Sequence, residues 1–227
     1  MLNSHAHIDF AGVEKLESTN SCIVPSIGKN NWHAVTKFAY YALGIHPWYL
    51  EDHTTDDLKM LDQYINNNNP IAIGECGLDF NLNINKKKQK IYFQEHLSLA
   101  QKYQLPVVIH SVNATEEVIM TLKQFPSISG EIHGFSGSAS QAELLTNMGF
   151  LLGFGMQITN INSTKLRSIV ANTPLEFILI ETDDHHNPND MLKVAYVVAE
   201  LKQIPVDKII EQCDNNALSL FNIKTKT

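Results

Sequence analysis

The sequence predicts an α/β fold of one domain, a (β/α)8 TIM barrel, and three observations carry the prediction. Eight short apolar runs rich in β-branched residues recur along the chain, most of them are separated by stretches of helical spacing, and 227 residues accommodate about eight strand-and-helix units. The runs cover residues 2–9, 22–27, 41–45, 71–76, 107–110, 129–133, 150–154 and 177–180. Between them, Leu58, Leu61 and Ile65 recur at helical intervals, as do Ile91, Leu97 and Leu99, and then Val118, Ile119 and Leu122. Strand alternating with helix throughout argues a parallel sheet. The asparagine tract at 66–69 before Pro70 reads as a helix end and turn, and no Pro/Gly-rich linker, repeat or low-complexity tract divides the chain, so one domain over residues 1–227 is expected. An open doubly wound sheet is the competing layout. Such a sheet binding a dinucleotide wants a glycine-rich turn after its first strand, where this chain has His5 and His7, and Gly153-Phe154-Gly155 lacks the third glycine.

Composition narrows the function. Hydrophobic residues make up 44 % and charged residues 18 %, so neither disorder nor a coiled coil is indicated. No apolar run reaches the roughly 18 residues of a membrane span, and no basic or apolar leader precedes the first histidines, so a cytoplasmic protein with no membrane association is expected. Cys22, Cys76 and Cys213 are far apart and suggest reduced thiols rather than a disulfide framework or zinc ribbon. A formal charge of −7 disfavours indiscriminate nucleic-acid binding through a broad basic surface, but leaves room for a locally positive site made by metal ions.

The chemistry follows from position. In an extended first run, His5 and His7 point to the same side, half of a divalent-metal site. His46 follows the third run, Glu75 ends the fourth, His110 the fifth and His133 the sixth, and Asp183 lies just past the eighth. In a barrel these strand ends converge on one mouth, the face where catalytic groups are found. Four imidazoles, His5, His7, His110 and His133, with the carboxylates of Glu75 and Asp183, exceed the needs of one tetrahedral ion and suffice for two if Glu75 bridges them. The mix of imidazole and carboxylate admits Zn, Mn, Ni or Mg, with Mg the least suited to imidazole.

The ordered blocks His5-Ala6-His7-Ile8-Asp9, Gly44-Ile45-His46-Pro47, Ile73-Gly74-Glu75-Cys76-Gly77-Leu78-Asp79-Phe80, Val108-Ile109-His110-Ser111, Ile132-His133-Gly134-Phe135 and Glu181-Thr182-Asp183 resemble those of the TatD-like metal-dependent deoxyribonucleases. The resemblance runs nearly end to end. It implies a TIM barrel with a divalent metal pair that hydrolyses DNA phosphodiesters, often from a 3′ end. Carried over residue by residue, His5, His7, Glu75 and Asp183 would hold one ion and Glu75, His110 and His133 the second. Asp183 would also orient or deprotonate the attacking water and His46 would face the substrate phosphate; Glu75 joins Asp183 as a catalytic candidate, and Trp48 and Ser111 join His46 as candidates for contact with the substrate. No obligate protein partner is evident.

This chain departs from the family's usual pattern at several places. Asn3 replaces an aspartate, Trp48 a histidine and Val112 an arginine, and Asp184-His185-His186 stands where Ala-Pro-Tyr is usual. These changes keep the metal centre and alter the shell that reads the substrate, so hydrolysis of a small ester, lactone or amide is the alternative to DNA. A non-catalytic binding module is the third possibility, opposed by the complete ligand set. Alternation from His133 and Asp183 places Glu131 and Glu181 inside the barrel, where they are expected to share a hydrogen-bonded network with Asn3. Lys86, Lys87, Lys88 and Lys90 are candidates for guiding a phosphate backbone, Trp48 and Phe80 for stacking on bases, and Cys76 is expected to face the helix layer, inert.

Overall fold

A computed structural model describes residues 1–7, 21–184, 187 and 189–224; Asp9, His185 and His186 lie outside the described residues. Seven strands pair in sequence order and all in parallel: β1 (Ile23–Pro25), β2 (Tyr40–Leu43), β3 (Ala72–Asp79), β4 (Val107–Val112), β5 (Gly130–Ile132), β6 (Leu151–Phe154) and β7 (Ile178–Ile180). The eighth stave is the N-terminal segment. On one side it exchanges backbone hydrogen bonds with β1, from Ile23 N–H to the Asn3 carbonyl (2.9 Å) and from Ala6 N–H to the Ile23 carbonyl (3.1 Å). On the other it meets β7 and the residues after it, through Ser4 N–H to Ile180 O and His7 N–H to Asp183 O, both 3.1 Å. The first run therefore enters the barrel as two isolated bridges, Asn3 with Cys22 and Ala6 with Asp183, rather than as a continuous strand. The fold is the expected (β/α)8 TIM barrel.

The helices are α1 (Trp32–Val35), α2 (Thr55–Asn68), α3 (Lys86–Tyr103), α4 (Thr115–Leu122), α5 (Ala139–Asn147), α6 (Thr164–Asn172), α7 (Asp190–Lys202) and α8 (Val206–Leu220). Local chemistry sets their ends. Thr54 and Asp57 form a reciprocal capping box at the start of α2, and Asn69 stops it in the left-handed region (φ 50°), the turn that the asparagine tract announced. Along α3, however, Ile91 is exposed, and the buried stripe is Gln89, Tyr92, Phe93, His96, Leu97 and Ala100. The polar members of that stripe hid it from a count of aliphatic residues alone. No helix among the described residues is long and apolar enough to cross a membrane.

Strand alternation divides the core. Ile73, Cys76, Ile109, Ile132 and Leu152 pack outward against the helices, whereas Ile23, Ala42, Ala72, Val108 and Leu179 form a separate inner cluster that Phe221, just past α8, covers. Cys76 is fully buried in the outer layer, facing the helices as expected, and burial pushes its thiol up.

On β3 the alternation breaks. Ile73 pairs with Val107 and Cys76 with Ile109, so Gly74 and Glu75 together oppose the single residue Val108. This β-bulge turns Glu75 into the barrel while Ile73 and Cys76 on either side both face out. Glu75 is thus a mid-strand residue, not the end of its run, and β3 continues to Asp79. Beyond the bulge β3 and β4 approach so closely that a Cβ on Gly77 would lie 2.0 Å from the His110 carbonyl. Only glycine fits there.

His96 couples α3 to the third run. Its Nε2 accepts the Ile45 N–H (2.9 Å) and its Nδ1–H donates to the Tyr92 carbonyl (2.7 Å). Burial holds this imidazole neutral and pushes its pKa down to about 4. The unfolded chain therefore binds a proton that the folded one refuses between pH 6.5 and about 4. Stability is full above that window and falls through it by roughly 3 kcal/mol. Urea unfolding of wild type and His96→Gln at pH 7 and pH 5 checks this: the wild type is expected to lose more stability than the variant on acidification.

Candidate metal centre

Glu75, fully buried at the barrel mouth, is the hub. Its Oε2 lies 3.0 Å from His7 Nε2 and 3.3 Å from His5 Nε2. Its Oε1 lies 3.0 Å from His110 Nδ1 and 3.1 Å from both His46 Nε2 and His133 Nε2. Asp183 joins the Oε2 side, its Oδ1 3.6 Å from His5 Nε2 and 3.7 Å from His7 Nε2. The left-handed backbone at Asp183 (φ 53°) directs this carboxylate back over the mouth, where about a third of the side chain is exposed.

Separate elements deliver these groups. His5 and His7 come from the N-terminal stave, held in register by the bonds between His5, His7 and Asp183. His46 caps the short helical turn after β2 by accepting the Trp48 N–H at its Nδ1 (3.1 Å). His110 lies within β4 and His133 directly follows β5, its ring stacked on His5 with centroids 3.8 Å apart.

The separations suit cations. Ligands held at about 2.0–2.1 Å around a tetrahedral ion stand roughly 3.3 Å from one another. The ring nitrogens His5 Nε2 and His7 Nε2 are 3.2 Å apart, as are His46 Nε2 and His110 Nδ1. Three groups have their ligand atoms within 4.8 Å of one another: His5, His7 and Glu75; His5, His133 and Asp183; and His46, Glu75 and His110. Nitrogen lone pairs facing one another around a buried carboxylate want a positive charge among them. The electrostatics agree. Burial works against the Glu75 charge, yet the imidazoles of His46, His133 and His5 hold its carboxyl well below the usual range. Burial likewise lowers His133, but Glu75 and Glu181 overcome it and raise the imidazole well above its ordinary value. The field that draws a proton to this spot would draw a divalent cation more strongly.

Below this layer Glu131 and Glu181 are both fully buried. Ser4 Oγ–H donates to Glu131 Oε1 (2.6 Å), the Gly134 N–H donates to Glu181 Oε1 (2.8 Å), and that oxygen lies 3.4 Å from His133 Nδ1. A Cβ on Gly153 would come within 2.2 Å of Glu181 Oε2 and 2.6 Å of Glu131 Oε1, so both carboxyls rest on this glycine. Burial and the neighbouring Glu181 raise the Glu131 carboxyl well above its ordinary range. Asn3 does not join them. Its Oδ1 accepts the His5 N–H (3.3 Å) and the Thr182 N–H (3.2 Å), and its Nδ2 donates to Thr182 Oγ1 (2.7 Å). The side chain folds back on its own backbone, which regular alternation does not anticipate, and Ser4 takes the inward place.

The expected substrate contacts divide. His46 and Trp48 line a cavity of about 390 Å³ with Ile27, Tyr49 and Asp184, and the groups of the cluster form its floor. His46 reaches Glu75 itself, closer to the centre than a contact to substrate requires. Ser111 turns away: His110 faces inward on β4, so its neighbour faces the helices, where Ser111 Oγ meets Thr115 Oγ1 at 3.1 Å. Lys86 Nζ lies over the Phe80 ring at 4.3 Å, Lys88 Nζ over the Tyr92 ring at 5.9 Å, and Lys90 pairs with Glu117 at 2.7 Å, so three of the four lysines have partners within the protein.

Asp79 was not singled out by the sequence reading. Its Oδ2 accepts the Trp48 indole N–H (2.7 Å) and lies 3.4 Å from His110 Nε2. The signal was available, since past the bulge residues 75, 77 and 79 share one face of the strand.

Residues 4–222 match the family described as TatD related DNase. The chain is 32 % identical to an Escherichia coli protein named as the uncharacterized metal-dependent hydrolase YjjV, over 98 % of each. The crystal structure of that TatD homologue superposes with a TM-score of 0.88 over 99 % of this chain and 98 % of the other, at 30 % identity. A protein of Erwinia billingiae named 3′-5′ ssDNA/RNA exonuclease TatD is 28 % identical over 82 % of this chain and 78 % of its own length.

Proposed function

The chain belongs to the TatD-related DNase family, and from that premise we propose that it is a divalent-metal-dependent deoxyribonuclease that shortens single-stranded DNA from its 3′ end. The observation that carries the reading is the placement of Glu75, whose two oxygens each face a separate set of nitrogen ligands. His5, His7, Glu75 and Asp183 would hold one ion, and Glu75, His110 and His133 the second, with His46 beside them. Divalent cations bound there supply Lewis-acid polarisation of the phosphoryl oxygens and a water that is nucleophilic near neutral pH. Asp183, the partly exposed carboxylate, orients that water and accepts its proton. His46 and Trp48 line the wall against which the scissile group is placed. With a net charge of −7, attraction of a phosphate depends on the cations rather than on the protein surface.

A second reading, hydrolysis of a small ester, lactone or amide, is favoured by the cavity of about 390 Å³, small for a nucleic-acid cleft, and by Val112 at the end of β4. One experiment separates the two. Protein reconstituted with Mn, Zn, Ni or Mg is incubated with 5′-labelled single-stranded DNA, with the same strand blocked at its 3′ end, and with simple esters and lactones. Stepwise shortening of the free strand and slower attack on the blocked one are expected. Intact DNA beside rapid ester or lactone hydrolysis would establish the second reading instead.

A further inference from the structure

We propose that Asp79 is a positioning residue for two groups at once, the metal-facing imidazole of His110 and the exposed indole of Trp48. Through it, an aromatic platform for a nucleobase is tied to the second cation position. The platform part rests on the nuclease reading above, whereas the His110 part stands without it.

The Asp79 carboxylate is held from every side. It is 3 % exposed, at the end of β3. Gln89 of α3 clamps its backbone in both directions, accepting the Asp79 N–H (2.8 Å) and donating to the Asp79 carbonyl (2.9 Å). Oδ1 accepts the Asn81 N–H at 2.9 Å, which leaves Oδ2 for the mouth. There one oxygen faces both Trp48 Nε1 at 2.7 Å and His110 Nε2 at 3.4 Å. An imidazole that carries its proton on Nε2, toward Asp79, keeps the Nδ1 lone pair for the cation position beside Glu75 Oε1, 3.0 Å away.

Trp48 is the other end of the link. Although 54 % exposed, it is not free to swing. Its backbone N–H is bonded to His46 Nδ1 (3.1 Å), its indole N–H is bonded to Asp79, and its ring stands edge-on to His46 at 5.3 Å between centroids. A large apolar ring fixed in the open at the rim of a phosphodiester site has the form of a stacking surface for a base. The shared oxygen joins His110 to this ring directly, beside the longer route through His46.

The test uses the full chain with metal titrated in and substrate absent. Asp79→Asn is expected to weaken the second equivalent of Zn by about 10- to 100-fold in calorimetry and to leave the first unchanged. In wild type, tryptophan emission is expected to change with the second equivalent. The contribution of Trp48 is the part of that change absent from Trp48→Phe, because the other tryptophan, Trp32, is buried and bonded to the Gly44 carbonyl. This measurement needs no variant at Asp79 and tests the coupling of Trp48 to the second cation position even if Asp79→Asn does not fold. With substrate, Trp48→Ala is expected to raise KM about tenfold for a normal 3′ end and to leave KM unchanged for an end bearing abasic nucleotides. Equal Zn affinities in wild type and Asp79→Asn, or no Trp48 signal at the second equivalent, would overturn the positioning role. Equal KM increases on both strands would overturn the platform. A wild type that cleaves neither strand but gives the stated titrations contradicts both the nuclease reading and the platform, and supports the link between Asp79 and His110.

Discussion

Replacing Glu75 with glutamine is expected to lower kcat/KM at least about a thousandfold and to reduce bound metal from two ions to no more than one. Glutamine keeps the size of the side chain and removes the charge, so its one carbonyl oxygen can face either His5 and His7 or His110 and His133, but not both sets as an anion. Lewis-acid stabilisation of a phosphoryl transition state amounts to several kcal/mol, and each 1.36 kcal/mol is tenfold in rate, which gives the thousandfold figure. The folded structure should survive, because the buried charge is the element removed. Inductively coupled plasma measurement of metal content beside steady-state kinetics checks both halves. Full two-ion occupancy in Glu75→Gln would show that the carboxylate is not the bridge.

The second large effect concerns stability. Chelation is expected to lower Tm of the wild type by about 10 °C, since ions present at a thousand times their dissociation constant stabilise the folded state by roughly 4 kcal/mol, and one kcal/mol corresponds to about 2–4 °C in a chain of this size. The structural reason lies in the crowding at the mouth. His5 Nε2 and His7 Nε2 approach to 3.2 Å, and His110 Nδ1 and His133 Nε2 to 3.4 Å, close contacts between ring nitrogens that a cation among them would bring together as ligands. Removing the cations leaves these nitrogens to compete for protons around Glu75. Scanning calorimetry with and without chelator should show a shift that Glu75→Gln reduces by half or more.

Much of this could be read from the residues. The barrel follows from the recurrence of eight apolar runs, and the gathering of His7, His110, His133 and Asp183 at one mouth from their places at or just past the ends of those runs, although β4 itself continues past His110 to Val112. What was misplaced depends on local geometry. The bulge opposite Val108 sets Ile73 and Cys76 outward on both sides of Glu75, and a one-residue slip of this kind has no compositional signature, whereas Asp79 shares the face of Glu75 by plain alternation. Ser111 is a different case. Strict alternation from His110 already points it at the helices, so adjacency along the chain was the wrong guide there. Asn3 forms a side-chain turn with its own backbone, and such turns compete with extended structure at positions that patterning treats as regular. His46 lies on a turn after β2, beyond the reach of strand periodicity, and only the folded chain brings its Nε2 within 3.1 Å of Glu75.

Two divalent cations held at the barrel mouth would share the Glu75 carboxylate, and crystals soaked in Mn or Zn and measured at the metal's absorption edge show whether they do. Two anomalous peaks are expected, one beside His5, His7 and Asp183 and the other beside His110 and His133, both within reach of the Glu75 carboxylate. A single peak, or a pair that leaves Glu75 uncoordinated, would contradict this sharing.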